Sequence, residues 1–231
     1  MRTLDIEGND AAQKLKILAE LAFNGQISAD AVRAEGIREI TVGDMQAARE
    51  LGYVIKHIAT AEILNGSVSL RAAPVLLPAM HQLATVSHEN NAVLVRGDAV
   101  GEMLFSGKGA GSLPSASAVL SDVVEIACNP GGFRASPNGR VNTAIRDCES
   151  KHYLRFVVSD LSAIGAITTV LERNGVGVVR AAAVWAKSET GQHHVRLLTH
   201  SGPRRAVEES LRFIAGMGVE KGKNIVLPVA Q

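Results

Sequence analysis

The topology of the first half of this chain follows from residues 53–78, which read YVIKHIATAEILNGSVSLRAAPVLLP. Two runs of mainly aliphatic residues, 53–64 and 67–77, flank Asn65-Gly66. Because Asn-Gly supplies the positive φ angles of a tight turn, the stretch predicts a β-hairpin. A second hairpin is predicted over residues 92–105. Hairpins pair antiparallel strands, so we expect an α+β fold with a mixed or antiparallel sheet rather than a doubly wound one.

Helices are predicted on both sides of these hairpins. The first begins at Asn9 or Asp10, either of which can cap it, and ends at Asn24-Gly25. Apolar residues recur at helical spacing between those limits. Further helices are predicted over residues 42–51 and 114–127. Together with the hairpins, they form a first domain over residues 1–128.

The rest of the chain predicts a second domain. Turn-forming residues are concentrated in residues 129–150, which we interpret as an exposed linker. After it, residues 151–231 predict strands and helices in the order β-α-β-β-α-β, which is the order of a ferredoxin-like sandwich. The predicted strands are 153–158, 176–185, 192–199 and one within 219–229, and the predicted helices are 164–173 and 203–215.

The composition is that of a globular protein and excludes several classes. Hydrophobic residues make up 46% and charged residues 20% of the 231, which excludes a disordered chain. A net charge of +1 and 3% aromatic residues argue against a nucleic-acid partner. No apolar run approaches the ~20 residues that span a bilayer, so no membrane partner is expected. Cys128 and Cys148 form no CxxC pair, and we expect a reducing, cytoplasmic location.

Asp10 and Lys14 form the first candidate site. They are four residues apart on a predicted helix, so both side chains project from one face. One interpretation is an exposed ion pair that contributes about 0.3–0.5 kcal/mol. The other places the pair at a cleft, with Lys14 as general acid/base and Asp10 as an acceptor for a polar substrate.

The second candidate is the glycine-rich stretch 107–111, between a predicted strand and a predicted helix. It imitates a dinucleotide fingerprint, but Ser112 occupies the sixth position and no βαβ unit follows. It is either a tight turn or a place where backbone approaches a cofactor held elsewhere, at a helix N-terminus. No metal site is predicted, because His57, His81 and His88 have no carboxylate or cysteine at ligand spacing. His193 and His194 are adjacent on a predicted strand and should point to opposite faces.

Residues 4–18, LDIEGNDAAQKLKIL, resemble the start of the catalytic helix of homoserine dehydrogenase. The resemblance continues in the family's order and spacing and covers the first 128 residues, through stretches 35–41, 50–56, 74–78, 91–93, 97–101 and 107–117. The second domain resembles the ACT domain that many bacterial members carry, which is linked to feedback inhibition by threonine. The family's Asp-x-Pro-Gly loop appears here as Asp160-Leu161-Ser162-Ala163.

The resemblance implies reversible hydride transfer between NAD or NADP and L-aspartate 4-semialdehyde, with L-homoserine as the alcohol. It implies that Lys14 is the catalytic proton donor and acceptor, that Asp10 and Asp5 bind the substrate, and that Gly109 or Gly111 contacts the nicotinamide cofactor. Because the family's sheets commonly pair across a dimer, it also implies a homo-oligomer.

The family's N-terminal Rossmann domain has no counterpart in these 231 residues. We therefore expect a homoserine dehydrogenase that is inactive in isolation, since proximity and orientation of the hydride donor contribute ~7–11 kcal/mol to the barrier. Two alternatives remain. The chain is a non-catalytic amino-acid-sensing or oligomerisation module, or it has neither activity.

Overall fold

The computed structural model describes residues 2–129, 139–144, 149–184 and 193–230. Residues 130–138 and 145–148 of the predicted linker lie outside the described residues, as do residues 185–192, which include the end of one predicted strand and the start of the next. The described part is a mixed α/β fold with small sheets.

Two helices open the chain, α1 (Arg2–Ile6) and α2 (Asn9–Phe23). The prediction that Asn9 or Asp10 caps α2 is wrong, because the N-cap is Gly8, with φ 80°. A side chain cannot be placed there, since a Cβ at Gly8 would lie 2.8 Å from His57 Nε2. The left-handed conformation is thus supplied by the residue that accepts it most readily. The predicted end of the helix is confirmed at Asn24.

The first sheet contains the predicted 53–78 hairpin, with β2 (Tyr53–Leu64) paired antiparallel to β3 (Ser67–Pro78). The turn prediction is confirmed, since Asn65 and Gly66 have φ angles of 49° and 78°. A short strand, β1 (Arg33–Ala34), runs parallel to β3 on its other side. Helix α2 packs Leu15 and Ala19 into a cluster with residues of β3.

Helix α3 (Val42–Glu50) precedes the hairpin and begins with a capping box. The Thr41 hydroxyl accepts from the Asp44 N–H, and the Asp44 carboxylate accepts from the Thr41 N–H. This reciprocal pair satisfies two of the backbone donors that a helix start leaves free.

The second predicted hairpin is confirmed as β4 (Asn90–Gly97) and β5 (Gly101–Lys108), followed by α4 (Ser112–Cys128). We call these three elements, residues 90–128, the arm. Every described residue of α4 except the half-buried Pro114 is exposed, although the helix is strongly apolar. The arm therefore projects from the rest of the described structure.

We call the residues before 130 the first block and residues 149–230 the second block. The elements of the second block are β6 (Glu149–Ser150), β7 (His152–Val158), α5 (Ala163–Arg173), β8 (Val178–Val184), β9 (His193–Thr199), β10 (Gly202–Pro203), α6 (Arg204–Gly216) and β11 (Ile225–Pro228). Four of the strands form an antiparallel sheet in the order β11-β7-β9-β8, which we call the second sheet. Helices α5 and α6 cover one face of it, and their contacts with β7 and β9 form the largest apolar cluster of the described residues. A separate two-stranded sheet pairs β6 with β10.

Residues of both blocks share one apolar cluster. Ala47 and Ala48 of α3 and Leu76 of β3 pack with Tyr153 and Leu227 of the second sheet. Residues 139–144 of the predicted linker pack against the first block, although the linker is predicted to be an exposed connection. Residues 139–144 form β-bridges to Gln26 and Val68, and Val141 packs against the cluster under α2.

Candidate functional site

The exposed face of α2 carries the predicted pair. Lys14 Nζ lies 2.5 Å from Asp10 Oδ2, as the four-residue spacing predicts. The side chains are 61% and 39% exposed, so the described residues do not enclose the pair in a pocket. In the described structure, Asp10 and Lys14 therefore form an exposed ion pair on the helix surface. They would lie in a cleft only if another surface covered α2.

Asp5 lies on α1, and its side chain is exposed. The Gly8 N–H donates to the Asp5 carbonyl oxygen at 3.2 Å, which closes the corner between α1 and α2. The structure therefore places Asp5 one helix away from Asp10, on the same corner of the molecule.

A short segment, residues 33–38, lies beneath this corner; we call it the strap. The strap carbonyl of Glu35 accepts from His57 Nε2 at 2.9 Å, and His57 lies directly under Gly8. The Glu35 carboxylate contacts Arg33, Arg71 and Arg204 at 3.3, 3.1 and 3.4 Å. Burial lowers the pKa of the Arg71 guanidinium, while the Glu35 charge opposes that shift.

Sequence reasoning missed the strap as part of the site. Arg204 is 169 residues from Glu35 along the chain, so no local spacing indicates that they meet. The Gly8 turn gave the one available signal, because a glycine directly before a helical pattern is typical of a positive-φ corner that packs closely on a neighbour.

The glycine turn 107–111 lies at the start of α4, where Gly111 is the N-cap with φ 129° and no side-chain cap. The Gly109 N–H already donates to the Glu89 carbonyl oxygen at 3.0 Å. A Cβ at Gly109 would collide with the Asn91 side-chain amide, so a side chain at this position requires that exposed amide to move. An open concavity beside the turn is lined by Lys108, Gly111, Leu113, Pro114 and Ser117, among others.

The structure does not bring this turn to the α2 pair. No hydrogen bond or ion pair in the described part of the chain joins Asp10 or Lys14 to residues 107–111. The two candidate sites are therefore separate surfaces of the described chain.

A buried cluster that the sequence did not predict joins the two blocks; we call it the Asp44 cluster. Asp44 contacts Tyr153 Oη at 2.8 Å, Arg155 Nη1 at 2.5 Å and Arg196 Nε at 3.3 Å. Its side chain is fully buried, and both arginines are nearly so. Among the described residues, Arg155 Nε and Arg196 Nη1 have no hydrogen-bond partner.

The electrostatics of this cluster follow from burial. Burial by itself would raise the pKa of the Asp44 carboxyl, but hydrogen bonds from Thr41 and Tyr153 and the Arg155 charge outweigh it, so the pKa lies below its ordinary value. Burial and the Asp44 charge raise the pKa of the Tyr153 hydroxyl. Thr41 and Asp44 have the spacing of a capping box, but the partners of Asp44 in the second sheet are 109 to 152 residues away along the chain and left no local signal.

Within residues 2–129, 139–144, 149–184 and 193–230, no group of three or more histidine, cysteine or acidic side chains is arranged to hold a metal ion. Cys128 is a free, exposed thiol at the end of α4. None of the described helices combines the length and apolarity needed to cross a membrane.

Comparison with known proteins identifies relatives over nearly the whole chain. A family model described as homoserine dehydrogenase matches residues 2–124. Homoserine dehydrogenase from Pseudomonas aeruginosa is 32% identical over 244 residues, which cover 99% of this chain and 56% of that protein. The Bacillus subtilis homoserine dehydrogenase is 35% identical over 205 residues, which cover 86% of this chain and 47% of that protein.

A solved structure agrees with these relatives. The crystal structure of a homoserine dehydrogenase from Thiobacillus denitrificans superimposes with a TM-score of 0.84 at 32% identity, covering 99% of this chain and 54% of that one. The chain thus spans about half the length of the curated relatives it matches.

Proposed function

Because this chain belongs to the homoserine dehydrogenase family, we propose that it forms the substrate-side half of an NAD(P)-dependent oxidoreductase of amino-acid biosynthesis. The reaction is the interconversion of L-homoserine and L-aspartate 4-semialdehyde on the route to threonine and methionine. The observation that carries the proposal is the Lys14–Asp10 ion pair on one face of α2, inside the stretch that the family model matches.

In this proposal Lys14 moves the proton of the reaction. When the aldehyde is reduced, its carbonyl carbon gains a hydride and its oxygen gains a proton, which the Lys14 ammonium donates. In the reverse direction the neutral amine accepts the alcohol proton. The nicotinamide, when bound, supplies or takes up the hydride. Asp10 holds Lys14 in place through the ion pair, and Asp10 and Asp5 bind the ammonium group of the substrate.

The glycine turn fits a nicotinamide cofactor in part. Gly109 contributes shape rather than a donor, because its N–H is already bonded to the Glu89 carbonyl oxygen. Gly111 caps α4 without a side chain, so the positive end of the helix dipole is open to an anionic group. We propose that both glycines contact a cofactor whose main binding surface is formed elsewhere.

The arm supports a second, covering half. Its large apolar side chains are exposed, among them Val119, Leu120, Val123 and Ile126, at 55–71%. Contiguous apolar surface of this kind marks an interaction site in soluble proteins. We propose that the cofactor-binding half of the enzyme packs on the arm and also covers α2. The chain by itself is then inactive, because Lys14 stays in bulk water and the hydride donor is not held.

The test is complementation with a matched pair of lysine variants. The chain is mixed with a separately produced N-terminal half of the Pseudomonas aeruginosa relative, and homoserine-dependent nicotinamide reduction is followed by absorbance. We expect turnover in the mixture and none in either half. Lys14→Ala should abolish turnover, whereas Lys16→Ala, which removes the neighbouring Lys16–Glu20 ion pair on the same helix, should retain it. Turnover by Lys14→Ala at the wild-type rate would exclude the proposed role.

For the second block we propose a ferredoxin-like, ACT-type regulatory domain over residues 151–231, joined to a substrate domain over 1–128 by residues 129–150. The antiparallel strand order β11-β7-β9-β8 with two helices on one face supports it. Asp160 Oδ1 accepts from the Ser162 N–H, so an Asp-based turn still precedes α5 although the family's Pro-Gly is absent. Titration calorimetry with threonine tests this block, and heat with threonine together with no turnover in the complementation assay would favour the sensing module.

We also propose a homo-oligomer. It is supported by Ile63, an apolar side chain that is 61% exposed and lies on β2 rather than on α2. Static light scattering at high micromolar concentration checks the mass, and a monomer would contradict this part of the proposal.

A further inference from the structure

The corner that precedes Asp10 and Lys14 is clamped by the strap through several independent contacts. The Ile37 N–H donates to the Ile6 carbonyl oxygen at 2.9 Å, and Arg38 Nη2 lies 2.6 Å from Glu7 Oε1. A Cβ at Gly36 would lie 2.5 Å from the same Ile6 oxygen, so the strap backbone touches the corner directly.

His57 supports the corner from below. Its Nε2 donates to the Glu35 carbonyl oxygen, since a carbonyl can only accept. The same ring leaves no room for a side chain at Gly8. The ring therefore fixes both the strap and the N-cap of α2, and a shift of either one moves the first turn of the helix.

The second block reaches this arrangement through one side chain. Arg204, the first residue of α6, lies 3.4 Å from Glu35 and 2.8 Å from Glu208. Glu35 keeps Arg33 and Arg71 as partners when Arg204 is removed. Loss of Arg204 thus leaves Glu35 paired, but it also breaks the ion pair with Glu208 within α6 and leaves that half-exposed carboxylate to water.

We propose that Glu35 and His57 are positioning residues that hold the first turn of α2, and with it Asp10 and Lys14. We further propose that Arg204 makes this position depend on the second block. The inference rests on the function proposed above for Lys14, but its main observable, the order of the α2 first turn, does not. The contacts that link the second block to α2 run from Arg204 to Glu35, from Glu35 to His57, and from His57 to Gly8.

The first experiment is hydrogen exchange with mass spectrometry on the chain as it exists. Glu35→Gln, His57→Leu and Arg204→Ala should each speed amide exchange in residues 12–14, the first amides of α2 with an intrahelical acceptor, by roughly threefold to tenfold, because the clamp opens more often. The matched control is Arg205→Ala, which removes an exposed pair with Glu209 on the same helix turn and should leave exchange unchanged. Unchanged exchange in Arg204→Ala would overturn the link to the second block.

The second experiment uses the complemented enzyme described above. A positioning role predicts that Arg204→Ala lowers kcat through Lys14 and raises KM for homoserine through Asp10, and that Arg204→Lys restores part of both. An equal fall in the amount of folded protein and in kcat would show a merely structural role.

The two proposals can fail separately. If Lys14→Ala retains turnover while Arg204→Ala still speeds exchange, the proposed catalytic role fails and the clamp stands. If Glu35→Gln or His57→Leu does not fold, Arg204→Ala and Arg204→Lys still decide the link, since both leave Glu35 with its other two arginines. Wild-type exchange in all folded variants overturns the clamp.

Discussion

The Asp44 cluster and the arm place polar and apolar side chains in opposite ways: the cluster buries charged groups, and the arm exposes apolar ones. The cluster buries one carboxylate and two guanidinium groups where a folded chain usually places apolar side chains. The arm exposes Val, Leu and Ile side chains where a folded chain usually places polar ones. The first region is completed inside this chain, since α3 and the second sheet supply each other's partners.

The difference indicates which contacts the chain supplies for itself and which it needs from outside. A buried Asp with two buried arginines repays the cost of desolvation only where the charges contact each other closely and are hydrogen-bonded. An exposed apolar helix is tolerated where a partner surface removes it from water. The junction between the blocks is therefore part of the fold, and the arm is the side on which we propose that the cofactor-binding half packs.

The largest expected effect is at the junction. Asp44→Asn should lower the free energy of unfolding by about 3–5 kcal/mol, because it leaves Arg155 and Arg196 buried without a counter-charge. The effect is measured by urea unfolding near neutral pH. In the wild type, the depressed pKa of Asp44 means that its contribution is present above about pH 4 and is lost as the pH falls further.

The control for this substitution is Glu50→Gln at the exposed end of the same helix, which should stay within about 0.5 kcal/mol of the wild type. A loss below about 1 kcal/mol for Asp44→Asn would mean that water reaches the cluster and that the two regions differ less than the structure indicates.

The next effect compares one residue type in the apolar core of the second block and in the arm. Ile214 on α6 is fully buried, and Ile126 on α4 is 71% exposed. Ile214→Ala should cost about 2–5 kcal/mol, because it opens a cavity in the second block. Ile126→Ala should change stability by less than about 0.5 kcal/mol in the free chain. Thermal unfolding of both variants checks the pair.

Ile126→Ala should nevertheless weaken turnover in the complementation assay, since it removes apolar area from the proposed interface. If Ile126→Ala destabilises the free chain as much as Ile214→Ala, the arm is already covered and the proposed role of this surface is wrong.

Much of the fold could be predicted because its signals are local. Asn65-Gly66 and Asn24 each dictate a backbone conformation within two or three residues, and the structure confirms both. Asn9 and Asp10 have the polar side chains that favour an N-cap, but the N-cap of α2 is Gly8, which has a positive φ and leaves His57 room to approach. That approach is a tertiary contact, which sequence spacing does not record.

In the candidate site, too, only the local contact could be predicted from the sequence. The spacing of Asp10 and Lys14 placed them in contact, but it could not show whether they lie in a cleft or in solvent. Glu35, Arg204 and the Asp44 cluster were missed because each depends on partners far along the chain. Their meeting follows from how the second sheet packs on α3, and no pattern within a helix or strand contains that information.

The smallest expected effect tests the electrostatics at the edge of the Asp44 cluster. His194 Nδ1 lies 3.4 Å from Arg196 Nη2, and Arg155 on β7 and Asp44 on α3 also face the ring. Burial, followed by the charges of Arg196 and Arg155, lowers the pKa of His194. The unfolded chain then binds a proton at a pH near 6.5 where the folded chain does not, so stability is full above about pH 6.5 and falls below it.

Urea unfolding at about pH 7.5 and about pH 5.5 measures this loss, in a range above the titration of the carboxylates. His194→Gln should lose less stability on acidification than the wild type, because it removes the group that takes up the proton. His193→Gln is the control, since the preceding residue of the strand points to the other face and should leave the pH dependence as it is. The expected difference is modest because water screens a side chain that is only half-buried. If the wild type and His194→Gln lose the same free energy of unfolding on acidification, burial and the charges of Arg155 and Arg196 do not lower the pKa of His194.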